Sequence, residues 1–164
     1  MKPRARTSAV ALAALLLMAA CSLMPCRREQ TPVLRLIGDS TMADKPVEET
    51  PERGWGQLLP LFFRPEVKVV NYARNGRSTK SFITQGLWAQ VLADLNEGDY
   101  LFIQFGHNDA KVTDTTRYAE AHTAYKANLI RFIAEARARG ARPLLLTSLA
   151  RRYFRSEERR VGKE

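Results

Sequence analysis

What most constrains this chain is a set of four short apolar runs, each separated from the next by a segment of helical periodicity. The first, 33–37, is Val-Leu-Arg-Leu-Ile, and it stops abruptly at Gly38-Asp39-Ser40-Thr41. The second, 66–71, alternates in and out and ends in a loop containing Asn75-Gly76, a pair that favours positive φ. The third, 100–105, is nearly all apolar, as a parallel strand buried on both faces should be, and it ends at Gly106-His107-Asn108-Asp109. The fourth is 143–147. Between them the spacing predicts a short helix over 54–63 disturbed by Pro60. A second helix is predicted over 80–95, with Phe82, Ile83, Leu87, Val91, Leu92 and Leu95 on one face. A long helix should run from about Thr116 to a C-cap at Gly140. The order β-α-β-α-β-α-β implies right-handed crossovers and a parallel sheet covered by helices.

In such a sheet the crevice beyond the strand carboxyl ends is where ligands bind, and the three polar, glycine-bearing segments must meet there. Ser40 stands where a strand delivers a nucleophile to the rim. An Asp/Ser helix cap is the plainer reading of the same four residues. Acyl transfer needs a nucleophile and fixed donors aimed at the developing oxyanion. Ser40 can be the nucleophile; the backbone N–H groups of Ser40 and Gly76 and the side-chain amide of Asn108 can be the donors. Taken singly, Gly76 reads as a turn glycine and Asn108 as a capping residue, but three such segments on one rim favour a site.

The ends of the chain have a different character. Lys2, Arg4 and Arg6 precede an uncharged Ala/Leu/Val/Met run to Ala20, the pattern of an export signal too short to span a bilayer comfortably. Cys21 directly follows the small pair Ala19-Ala20, which resembles a bacterial lipoprotein box with Cys21 as the acylated first residue of the mature chain, although Met18 stands where that box prefers Leu. Plain secretion without lipid is the alternative. Residues 21–32 read as a tether to the membrane. Two cysteines without an adjacent histidine make no metal-ligand pattern, and no cofactor is expected.

A net charge of +9 raises the question of nucleic acid. A third of it lies in the signal segment and a third in 151–164, and the remaining 130 residues hold no basic run longer than Arg27-Arg28. No nucleic-acid surface is therefore expected.

The motifs G-D-S-T at 38–41, N-x-x-x-N-G-R-S-T at 71–79 and G-H-N-D at 106–109 resemble the first three blocks of the SGNH (GDSL-like) hydrolases. Gly54-Trp-Gly-Gln57, Gly76-Arg-Ser-Thr-Lys-Ser-Phe82 and Phe105-Gly-His-Asn-Asp109 are similar to the rhamnogalacturonan acetylesterase branch. The resemblance covers 33–154. It implies a three-layer α/β/α flavodoxin-like fold, incomplete at its C-terminus. It also implies Ser40 as nucleophile, Gly76 and Asn108 completing the oxyanion hole, Asp39 and His107 in support, and a monomer acting on acetylated pectic polysaccharide.

One block of that family pattern, D-x-x-H, occurs nowhere in residues 1–164. His107 lies inside the third motif, and His122 is expected to be solvated on the long helix. After Phe154 the composition turns abruptly polar, and 155–164 reads either as a solvated tail or as a segment foreign to the family. Two functions follow: a surface-tethered carbohydrate acetylesterase whose activating base is missing here, or a catalytically silent carbohydrate-binding module on the same fold. A phosphate or nucleotide binder is disfavoured, since neither G-x-G-x-x-G nor G-x-x-x-x-G-K-[ST] occurs.

Overall fold

A computed structural model describes residues 31–149; the export signal, Cys21, Cys26, nearly all of the tether and the tail 155–164 lie outside the described residues. Strand β1, Leu34–Gly38, is wholly buried and pairs on both sides, with β2 (Val69–Asn71) and with β3 (Tyr100–Gln104). β4 (Arg142–Leu145) adds to β3, giving the order β2-β1-β3-β4 with every pair parallel. The chain leaves β1 toward one edge and returns on its other side, so β1 and β3 flank the switch point of the sheet.

Helices cover both faces. Helices α2 (Thr79–Thr84), α3 (Leu87–Asp94) and α4 (Lys126–Ala138) enclose the larger core, in which Phe82, Trp88, Phe105 and Phe132 pack ring against ring at centroid distances of 4.7–6.4 Å. Trp88, Phe82 and Phe132 are no more than 1% exposed, and truncating a ring of this kind costs about 3–5 kcal/mol. On the opposite face Leu34, Leu36, Met42, Ala43 and Ala73 pack with Trp55 of the one-turn helix α1 (Trp55–Leu58). The three layers agree with the expected fold class. β4 is an edge of the sheet among the described residues, and Leu144 and Leu145 are 39% and 51% exposed.

Four elements differ from the sequence expectation. The second strand starts at Val69 rather than 66, because residues 64–67 close a turn (Val67 N–H to Arg64 O, 2.9 Å). Pro60 does not bend one helix but opens a separate 3₁₀ turn, Leu59–Phe62. The helix expected over 80–95 is two helices, since Gly86 adopts φ +74° and redirects the chain between them. The long helix begins at Lys126, preceded by a single π turn, Ala121–Tyr125; residues 114–118 instead fold around the Asp114 carboxylate, which accepts from the Thr116 N–H (3.1 Å) and hydroxyl (2.6 Å). Its C-terminus closes as expected, with Gly140 N–H to Arg137 O and Ala141 N–H to Ala136 O, the paired bonds of a Schellman end.

Candidate active site

Three loops leave the carboxyl ends of β1, β2 and β3, and side chains tie them to one another. The first turns sharply around Asp39, which is 1% exposed. Its backbone carbonyl accepts from Met42 and Ala43, and its Oδ1 accepts from the Thr41 N–H (2.9 Å) and hydroxyl (2.8 Å). Ser40, half-buried, is thereby held in a turn anchored on both sides. Only glycine fits at the head of this turn, because a Cβ on Gly38 would lie 2.7 Å from the Gln104 carbonyl oxygen.

The second loop is fastened to the first by Arg74 N–H to Gly38 O (3.1 Å). It carries Gly76 at φ +75° and ends at Ser78, which caps α2 in a reciprocal bond with Ser81. The third loop is fastened to the second twice. Asn108, 3% exposed, donates one amide N–H to the carbonyl of Arg77, the residue after Gly76 (2.9 Å). Its second N–H remains for another acceptor. Asp109 accepts at Oδ1 from the Thr79 N–H (2.9 Å) and hydroxyl (2.5 Å), and Asn128 donates to that same hydroxyl oxygen (2.9 Å).

Two buried polar atoms in this region have no hydrogen-bond partner, Asp109 Oδ2 and His107 Nδ1. Burial pushes the Asp109 carboxyl above its ordinary range, against the lowering effect of its Thr79 bonds, and the nearby Asp39 charge adds to the rise. His107 Nε2 lies 2.7 Å from the Leu149 carbonyl, which fixes the proton there, and Nδ1 faces Asp39 Oδ2 at 3.8 Å, too far for a hydrogen bond. Tyr125 donates to the Phe105 carbonyl (3.1 Å), and its phenol is pushed up by burial and then by Asp109 and Asp39. An open cavity of about 550 Å³ lies here, lined by His107, Asp109, Tyr118, Tyr125 and Ser148. The molecule's more apolar groove, about 370 Å³, includes Leu34 and Tyr100, the first residues of β1 and β3, and so belongs to the opposite end of the sheet.

The loops bearing Ser40, Gly76 and Asn108 thus share one rim, with Asp39 and His107 on it. His122 is exposed in the π turn, as expected. Sequence reasoning missed Gln104 and Arg117. Gln104 Oε1 accepts from the Trp55 indole (2.7 Å) while its amide donates to the Thr147 carbonyl (2.8 Å), joining the end of β3 to helix α1 and to the segment after β4; its signal was a lone polar residue near the end of an apolar run. Arg117 pairs with Asp114 and approaches Asn108 Oδ1 at 3.4 Å.

The profile of the GDSL-like Lipase/Acylhydrolase family matches residues 36–163. The chain is 41% identical over 119 residues to the probable rhamnogalacturonan acetylesterase YesY of Bacillus subtilis, covering 73% of this chain and 54% of that protein. It is 42% identical over 119 residues to the rhamnogalacturonan acetylesterase RhgT of the same organism, covering 73% and 50%. The crystal structure of the YxiM protein from Bacillus subtilis superposes with a TM-score of 0.67 at 28% identity, over 77% of this chain and 36% of that one. The chain spans about half the length of the curated relatives it matches. On these residues and this sheet, the chain belongs to the GDSL-like lipase/acylhydrolase family, and within it is similar in sequence to rhamnogalacturonan acetylesterases.

Proposed function

We propose that this chain carries the nucleophile and oxyanion site of a carbohydrate acetylesterase that removes acetyl groups from pectic polysaccharide. The observation that carries this reading is the bond from Asn108 to Arg77 O, which sets a buried amide beside Gly76 on the rim where the β1 turn presents Ser40. Ser40 Oγ attacks the acetyl carbonyl. The oxyanion is met by the N–H groups of Ser40 and Gly76 and by the free N–H of Asn108; the sugar hydroxyl then leaves and water releases acetate. Asp39 shapes the turn. The base that takes the serine proton belongs, by the family pattern, to the D-x-x-H block that residues 1–164 lack.

The 164-residue chain is accordingly a feeble esterase: without a base, binding and oxyanion stabilisation leave roughly 10³–10⁴ over water. Acetyl release from an aryl acetate and from acetylated pectin tests this, for the chain itself and for the chain extended with a relative's D-x-x-H segment. The extended chain should be faster by orders of magnitude and lose that gain in Ser40→Ala. Asn108→Ala should cost about 10²–10³ in rate. Full activity in the 164-residue chain that disappears in Ser40→Ala would place a base within it, His107 first.

A second reading is a silent carbohydrate-binding module on the same fold, which an extended chain that binds acetylated pectin without turnover would support. Export follows from residues 1–20, with Cys21 carrying lipid; mass spectrometry of the mature N-terminus decides between that anchor and plain secretion.

A further inference from the structure

Arg117 approaches two of the three oxyanion donors, Gly76 and Asn108, and nothing in the acyl-transfer steps above uses it. Its Nε and one terminal nitrogen both engage the Asp114 carboxylate, which the Thr116 hydroxyl and then Arg117 hold down to about 2. The ion pair persists through the neutral range and fixes the guanidinium. The remaining nitrogen, NH1, is turned toward the rim: it stands 3.4 Å from Asn108 Oδ1 and 3.7 Å from the point a Cβ on Gly76 would occupy, with no other heavy atom from outside residues 75–77 within 4 Å of that point. The long contact to Asn108 leaves NH1 with unspent donor capacity, and the side chain is 31% exposed.

The loop beneath it is basic. Residues 74–80 contain Arg74, Arg77 and Lys80 and no acid. Their hydrogen bonds run to neutral oxygens: Arg74 to Ala73 O, Arg77 to Gln85 Oε1 and Asn75 O, and Lys80 to Thr115 O. Lys45 joins them through Asn75 Oδ1 (2.7 Å). None of these four forms an ion pair among the described residues. The acids that meet this loop or its partners are Asp109, buried and accepting from Thr79, Asp114, taken by Arg117, and Asp44, which accepts from Asn71. No basic run betrays this patch in the sequence, because folding gathers cations that are spaced along it.

We propose that Arg117 is a specificity-determining residue that receives the carboxylate of a uronic acid unit beside the acetylated hydroxyl, with the basic 74–80 loop attracting the neighbouring uronates of an anionic polysaccharide. This rests on the acetylesterase reading above and names the charged group that the site selects. Guanidinium–carboxylate hydrogen bonds are short and directional, so the contact discriminates charge as well as shape.

The test pairs a trigalacturonate probe with its methyl ester, which has the same sugars and no charge. Calorimetric titration of the 164-residue chain should show the free acid binding about tenfold or more tighter than the ester. Arg117→Gln should collapse that ratio toward unity, and Arg117→Lys, keeping the charge without the fork, should restore part of it. Arg139→Gln, exposed at the far end of α4, should leave it alone. Because the readout is a ratio, a general disturbance of the site through Asn108 cancels; circular dichroism confirms that each variant is folded. Equal binding of acid and ester by the unaltered chain, or an undiminished ratio in Arg117→Gln, overturns the assignment. An extended chain with Ser40-dependent acetyl release and no acid preference sinks this inference alone, whereas acid preference without acetyl release sinks the esterase reading and leaves Arg117 as the carboxylate's partner.

Discussion

Asp99 and Asp109 are each 3% exposed, yet they sit at opposite ends of the sheet and their carboxyls are shifted in opposite directions. At the amino end Asp99 accepts from the Val33 N–H (2.9 Å), the Asn96 N–H (3.0 Å) and Arg35 Nε (2.9 Å). Burial would raise its carboxyl, but those donors together outweigh it and hold it below the ordinary carboxylate range. At the carboxyl end Asp109 has one oxygen filled by Thr79 and the other bare, and burial pushes it up. The difference teaches what each rim is for. At the amino end the buried carboxylate is matched by donors, whereas the carboxyl end keeps buried polar capacity unmatched beside the cavity lined by His107, Asp109 and Tyr125.

The largest effect expected from breaking this contrast is at Asp99. Asp99→Ala strands the Arg35 guanidinium, whose side chain is 8% exposed, and should destabilise the fold by about 3–5 kcal/mol in urea denaturation. Next comes Asn128→Ala, which removes the donor to the Thr79 hydroxyl and loosens the seat of Asp109; a cost of about 1 kcal/mol is expected. Smallest is Asp109→Asn, which keeps an acceptor for Thr79 and removes the charge, so stability near neutrality should move by no more than about 1 kcal/mol.

The pH dependence sharpens the comparison, since the two carboxyls act with opposite sign. Asp99, depressed in the folded state, contributes stability present above the ordinary carboxylate pKa and lost as pH falls through its folded value. Asp109, raised, contributes most below the ordinary value and loses that contribution as pH rises through its folded one. Denaturation midpoints against pH should therefore lose part of their acid-side fall in Asp99→Asn and part of any fall above the ordinary carboxylate range in Asp109→Asn. Identical profiles for the two variants would contradict the contrast.

The layout of the carboxyl end was legible from sequence because its signals are local: apolar runs that stop at Gly38 and Gly106, and a positive-φ glycine at 76. The amino end was not. Arg35 reads as one polar interruption in an apolar strand, and its partner lies 64 residues away. The same holds at the site itself, where the motifs announced Ser40 and Asn108, but Gln104 and Arg117 acquire meaning only through contacts that no spacing encodes. Gly86 was visible, yet helical periodicity runs through it on both sides, and only the backbone angle shows the break.

The central claim is that the carboxyl rim presents Ser40 for acyl transfer. An electrophilic aryl phosphonate, which leaves a stable tetrahedral adduct on an activated serine, tests it on the chain extended through the D-x-x-H block. Peptide mass spectrometry should find the adduct on Ser40, with labelling abolished in Ser40→Ala. An adduct on Ser78, Ser148 or any other hydroxyl, with Ser40 unmodified while acetyl release stops, would contradict the account.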